Sequence, residues 1–196
     1  MGYNKIITDT NVRYAHHRTL RRNIRNHLSR LFDRYSKLLM LRVDFSYLKK
    51  SDSHHYADTH STVFDITQLL EQCHSLKGLV GYVWVLEYTE EHSFHIHAAF
   101  YLNGQKHRKV WAVFEDIRDI WANVTEGDGY AHRCEPKEHY RVKGEWVTSY
   151  DDDEGINRML YILSYLSKQD QKTERIIYQV SEISQPTRRG RPRCLD

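Results

Sequence analysis

His95 and His97 stand two residues apart in Phe94-His-Ile-His-Ala-Ala-Phe-Tyr101. On a β-strand that spacing puts both imidazoles on one face, side by side. Two neutral imidazoles so placed can bite a divalent metal ion. The chain has 13 histidines, and about one such pair arises by chance at that composition, so the spacing alone carries little. The setting carries more. Phe94, Ile96 and Ala98 alternate with His95, His97 and Ala99, and a buried imidazole needs a partner or a ligand. Glu87 ends the preceding apolar stretch. If residues 80–88 and 94–102 pair as a hairpin folded about Glu91, Glu87 lies across from His95 on the same face. A register slipped by one residue moves it to the other face. Two imidazoles and one carboxylate leave positions open for a phosphate and water, and suit Mg²⁺ or Mn²⁺.

A second constellation lies later, in Tyr161-Ile-Leu-Ser-Tyr165-Leu-Ser-Lys168. On a helical wheel at about 100° per residue, Ile156, Met159, Leu160, Ile162, Leu163 and Leu166 fill one broad side. Tyr161, Tyr165 and Lys168 form a narrow stripe opposite. A core tyrosine belongs inside the apolar arc; these two point away from it. A tyrosine hydroxyl so placed can attack a phosphodiester and become a covalent 5′-phosphotyrosine. A metal ion would polarise the phosphate, and Lys168 would bind phosphate or stabilise developing charge. Two tyrosines allow a second transfer while the first product stays linked. The bland alternative is a pair of tyrosines on an exposed flank, packing on a neighbour.

The elements that must position these residues read as follows. Residues 11–36 form a helix, with Leu20, Ile24, Leu28, Leu31 and Tyr35 as its apolar stripe. Arginines occupy its other faces, among them Arg18, Arg21, Arg22 and Arg25, with His16 and His17 nearby. They make either a solvated face or a DNA-facing one. Residues 37–47 form a strand and 49–60 a polar loop whose histidines are solvated. Residues 61–74 form a helix, 109–124 a strongly amphipathic one, and the tryptophans read as core. A short strand covers 130–134. Residues 135–150 are ambiguous, with a small hairpin expected around Lys143-Gly144. Asp151, Asp152 and Asp153 precede the last helix, 154–168, and suit its dipole. One further strand is expected at 175–180. The order α-β-α-β-β-α-β-α, with two strands joined as a hairpin, predicts an α+β fold: an antiparallel sheet with helices packed on it.

A chain of 196 residues fits one domain with a proper core. No apolar run approaches the ~20 residues of a membrane span, and the N-terminus lacks a signal-peptide core. The expectation is a cytoplasmic protein without a membrane partner. The three cysteines lie far apart and make neither a zinc cluster nor a disulfide framework. A net charge of +3 is only mildly basic, but the arginines crowd the two ends, which permits phosphate contact there.

Taken together, Glu-x7-His-x-His followed by Tyr-x3-Tyr-x2-Lys resembles the HUH endonuclease superfamily. The details look most like replication initiators of small phages, especially the filamentous-phage (inovirus) type found also in prophages. Leu41-Arg-Val-Asp-Phe-Ser46 is a third matching block, and the three blocks span about residues 38–168. The resemblance implies a ferredoxin-like or RRM-like palm with a central antiparallel sheet and flanking helices. It implies His95 and His97 as ligands of Mg²⁺ or Mn²⁺, Glu87 as the third, and Tyr161 and Tyr165 as the nucleophile pair. Some members use one tyrosine, marked by Tyr-x2-Lys; on that pattern Tyr165 would be primary. The expected function is nicking and strand transfer on single-stranded or origin DNA, starting and ending rolling-circle replication in a bacterial host cell. A relaxase, a transposase and a non-catalytic RRM-like nucleic-acid-binding module are the rivals. No Gly-x4-Gly-Lys-[Ser/Thr] loop is present, so unwinding would fall to a host helicase, and no small-molecule cofactor is expected. The expected domain covers 1–180. Residues 181–196 would be a basic flexible tail, in which Arg189 and Arg191 belong to an Arg-Gly-Arg-Pro minor-groove motif.

Overall fold

A computed structural model of the protein describes residues 9–138, 140, 142, 144–170 and 175–183. Helix α1 (Arg18–Arg34) leads into strand β1 (Lys37–Tyr47). The one-turn helix α2 (Asp52–Tyr56) and α3 (Thr59–Cys73) follow. Strands β2 (Leu79–Thr89) and β3 (Ser93–Asn103) come next, then α4 (Trp111–Val124) and β4 (Gly129–Arg133). Strand β5 (Val147–Ser149), helix α5 (Asp153–Leu163) and β6 (Tyr178–Val180) complete the described chain. The architecture is α+β: one six-stranded sheet in the order β4-β1-β3-β2-β6, with β5 also paired to β1. Every pairing is antiparallel. No helix among the described residues is long and apolar enough to cross a membrane.

Side chains alternate across the strands, so each strand serves two layers. Leu39, Leu41, Val43 and Phe45 of β1, with Leu86, Ile96 and Phe100, pack against Ile66 and Leu69 of α3 and Ile117 and Trp121 of α4. Leu38, Met40, Val83, Val85, Ala99 and Tyr101 face the other way and bury against α1 and α5. On that second face the same alternation continues towards one end of the sheet. There the apolar residues give way to Arg42, Asp44, Glu87, His95 and His97.

Several expected boundaries change for physical reasons. The first helix starts at Arg18 rather than at residue 11, because residues 11–17 are spent on the last helix. His17 N donates to Ser167 O (2.7 Å), Gln169 N to Ala15 O (2.8 Å), and Asn11 N to the Ser164 hydroxyl (3.0 Å). The loop after β1 holds α2, whose start Ser51 caps by accepting from His54 N. Residues 147–149 extend the sheet by pairing with Lys37 to Leu39; Lys143, in the hairpin expected before them, lies outside the described residues. The last helix is α-helical only to Leu163 and tightens to a 3-10 turn over Ser164–Ser167. The acidic run caps it as its dipole demands: Asp152 accepts from Gly155 N at 2.9 Å. Trp84 and Trp121 are core, but Trp111 and Trp146 are exposed; Arg133 lies over the Trp111 ring. The fold also runs past residue 180. Ser181 pairs with Tyr82 through its backbone N–H and again through its hydroxyl, and Ile183 packs on the second layer. Arg189 and Arg191 lie outside the described residues.

Candidate active site

The hairpin forms in the register that puts Glu87 directly opposite His95. The chain turns through three residues, 90–92, and Ser93 takes a left-handed backbone (φ 55°) on the way into β3. From that position its carbonyl accepts from His95 Nδ1 at 3.0 Å. His97 is oriented from the other side: Asp44, its neighbour across β1, lies 2.6 Å from Nδ1. With both Nδ1 atoms engaged, both Nε2 atoms are turned to Glu87. Glu87 Oε2 lies 3.8 Å from His95 Nε2 and 3.4 Å from His97 Nε2. One donor atom from each residue fits within a sphere where all are 4.8 Å or less apart. All three residues are buried. This group can hold a metal ion: three ligands, each ring fixed by a hydrogen bond on its far nitrogen, are what a metal site needs.

The carboxylate-histidine pairing also sets the charges. Burial works against the charge on Asp44, yet its contacts with His97 and Arg42 outweigh burial and hold its carboxyl well below the usual range. Burial likewise opposes protonation of His97, and the flanking Asp44 and Glu87 overcome it, so its pKa rises. Arg42 is almost wholly buried and donates to Asp44 at 3.0 Å. Arg42-x-Asp44 on β1 therefore forms the outer layer of the centre, and sequence reading assigned neither residue a role. The signal was there: two charged residues, two apart, inside Leu38-Leu-Met-Leu-Arg-Val-Asp-Phe, repeat the spacing of the histidines. Linking them to His97 required the long-range β1–β3 register.

The 3-10 turn at the end of α5 brings the tyrosine helix to this centre. The Tyr165 ring meets His97 edge-on, with centroids 5.3 Å apart. Lys168 Nζ donates to the Tyr165 hydroxyl at 2.9 Å and stands 3.4 Å from Glu87 Oε2. Burial opposes the charge on Lys168, but Tyr165 and Glu87 offset it and its pKa is raised. Lys168 is buried, not a member of an outward stripe; the change of helix type draws it inward. Tyr161 and Tyr165 line one cavity of about 620 Å³ together with Arg42, Asp44 and Tyr14. The contacts with the ligand group are made by Tyr165. Tyr14, from the N-terminal segment, meets the Tyr165 ring edge-on at 5.9 Å.

The arginines of α1 divide. Arg18 and Arg22 are exposed, while Arg21 and Arg25 are ion-paired with Asp9. Cys73 is buried and Cys134 half-buried, both as free thiols. Comparison of the chain with protein-family models, curated proteins and solved structures finds no match.

Proposed function

We propose that this chain is a metal-dependent nuclease of the HUH type, which nicks single-stranded DNA through a covalent 5′-phosphotyrosine and transfers the strand. One observation carries the reading: a tyrosine hydroxyl, hydrogen-bonded to a buried lysine, whose ring lies against one of two histidines in a buried Glu-His-His group. Core packing alone does not call for that combination, because burying the four ionisable groups Glu87, His95, His97 and Lys168 together costs several kcal/mol unless each is paired. The strand order β4-β1-β3-β2, with helices α3 and α4 on one face, is compatible with a ferredoxin-like or RRM-like palm and supports the reading.

In this reading Glu87, His95 and His97 hold Mg²⁺ or Mn²⁺, which supplies Lewis-acid polarisation of the scissile phosphate. Tyr165 is the first nucleophile. Its phenol oxygen forms the new bond to phosphorus, and the bond from phosphorus to the 3′ oxygen breaks. The upstream strand leaves as a 3′-hydroxyl, and the phenol proton passes to solvent. The Lys168 ammonium, already on the phenol oxygen, stabilises the charge that develops there. Asp44 and Arg42 hold the His97 ring. Tyr161, in the same cavity, accepts a second transfer. The biological setting that fits this chemistry is rolling-circle replication of a phage or prophage-like element, with unwinding left to a host helicase. A relaxase or a transposase would use the same steps on a different sequence.

The test is cleavage of a random-sequence single-stranded DNA pool in Mn²⁺. The expected products carry a free 3′-hydroxyl on one side and protein on the other, and none forms in EDTA or with His97→Ala. DNA binding that survives His95→Ala, with no cleavage under any metal, would make the chain an RRM-like binding module instead.

A further inference from the structure

Strand β4 is an edge strand, and its outward residues on the metal-bearing face are aromatic. His132 pairs with Asp44, which in turn pairs with His97, so the three share one row across the sheet. Tyr130 follows two residues along, opposite Ser46. Both side chains are exposed; half of the Tyr130 surface is open to solvent. Their rings are nearly parallel, at 22°, with centroids 6.5 Å apart. Stacked bases repeat every ~3.4 Å, so a flat base between two rings needs about 7 Å. The 6.5 Å between the Tyr130 and His132 centroids is the ordinary spacing of residues two apart on a strand, and a small outward splay of the two exposed rings would admit one base.

The gap also lies where a bound strand would pass. The cavity that holds Tyr161 and Tyr165 runs past Arg42 and Asp44 to His132. From His97 to His132 is two strand spacings, roughly 10 Å. A single strand covers that in about three nucleotides or fewer, at a stacked rise of ~3.4 Å each. Buried aromatic rings can be explained by packing. This pair is open on the edge strand, and its His132 lines the cavity that leads to the nucleophile.

We infer that Tyr130 and His132 form a slot that holds one nucleobase of the single-stranded DNA, a few nucleotides from the scissile phosphate. The inference rests on the nickase reading above and adds a specificity-determining subsite outside the metal centre. Stacking on the two faces supplies affinity whatever the base; selectivity would come from the polar groups that line the cavity with His132, among them Arg42, Asp44 and Glu135.

The experiment selects ligands from a random-sequence single-stranded DNA pool, in parallel for wild type, Tyr130→Ala, His132→Ala and Tyr130→Phe. Mn²⁺ titration serves as the folding check, because both residues are exposed and lie outside the ligand group. Wild type should enrich a motif. Each alanine variant should bind that motif roughly 5- to 100-fold more weakly and make one position of it degenerate, while Tyr130→Phe, which keeps the ring, should match wild type. Alanine variants that keep both affinity and motif would overturn the slot and leave the nickase reading standing. A wild type that binds no member of the pool would overturn both.

Discussion

Glu87 Oε2 lies 3.4 Å from the Lys168 ammonium and belongs to the Glu-His-His group that could hold a metal ion. The ammonium and such an ion would have different tasks, and mutation should separate them. Lys168→Met removes the donor to the Tyr165 oxygen and should slow strand cleavage roughly 10²- to 10³-fold. The same change frees Glu87 from a competing charge, so Mn²⁺ affinity by calorimetry should hold or tighten. Loss of metal affinity together with activity would mean that Lys168 merely props up the site. Asp44→Asn should do the reverse. It replaces the acceptor that fixes the His97 ring and should weaken Mn²⁺ binding about 10- to 100-fold; unchanged affinity would remove Asp44 from the metal's support. At this scale Glu87, His95, His97, Tyr165 and Lys168 were legible in the sequence because each pair is local, set by a hairpin or a helical turn. Asp44 was not, since its partner His97 lies 53 residues away, and Arg42 enters the site only through Asp44.

At the scale of elements, the sheet registers carry most of the placement, and α1 and β6 tie the edges down. The α1–β6 join depends on a neutral histidine. His27 is buried, its Nε2 lies 3.1 Å from the Ser181 hydroxyl, and its Nδ1 has no hydrogen-bond partner among the described residues. Burial is the main cause of its lowered pKa, Arg30 adds to it, and the Ser181 hydrogen bond opposes it; the value falls from 6.5 to about 4. Between those two values the unfolded chain binds the proton and the folded one does not. Stability is therefore lost as pH falls through that window and levels off below it. The loss from this group is on the order of 3 kcal/mol. His27→Gln should cancel that component, so the stability gap between variant and wild type, read by urea denaturation at pH 7 and pH 4.5, should shift in the variant's favour at the lower pH. A gap that stays constant would show that His27 is protonated in the fold. Helix α5 illustrates where sequence reading stops at this scale. A uniform 100° wheel placed Tyr161, Tyr165 and Lys168 on one outward stripe, but the 3-10 turn over Ser164–Ser167 rotates Lys168 into the protein. The serines cause no break that composition reveals. Ser164 and Ser167 hydroxyls donate back to Tyr161 O and Ser164 O, and residues 11–17 dock on the turn. The serine bonds are local; the docking of residues 11–17 is the tertiary effect.

For the whole molecule, the candidate metal group lies on the hairpin β2–β3 and is backed by Asp44 of β1 and by Lys168 after α5, so an ion bound there would stabilise the fold as a unit. At a hundred times its Kd, Mn²⁺ should add about 2.7 kcal/mol, which raises Tm by roughly 5–10 °C in a domain of this size. His95→Ala or His97→Ala should abolish that rise, and a rise that persists would place the ion elsewhere. The α+β architecture followed from strand alternation and from the hairpin. The pairing of residues 147–149 with β1 did not, because a three-residue strand carries no periodicity and its partner lies more than a hundred residues earlier. The linkage of the tyrosine helix to the hairpin is what makes these parts one site. It is tested by mass spectrometry of the protein after reaction with single-stranded DNA in Mn²⁺. The expected result is a nucleotide-bearing peptide modified at Tyr165, absent in EDTA and in Tyr165→Phe unless Tyr161 takes over. A covalent adduct that still forms in the Tyr161→Phe/Tyr165→Phe double variant, or one mapped in the wild type to a residue other than Tyr165 and Tyr161, would contradict it.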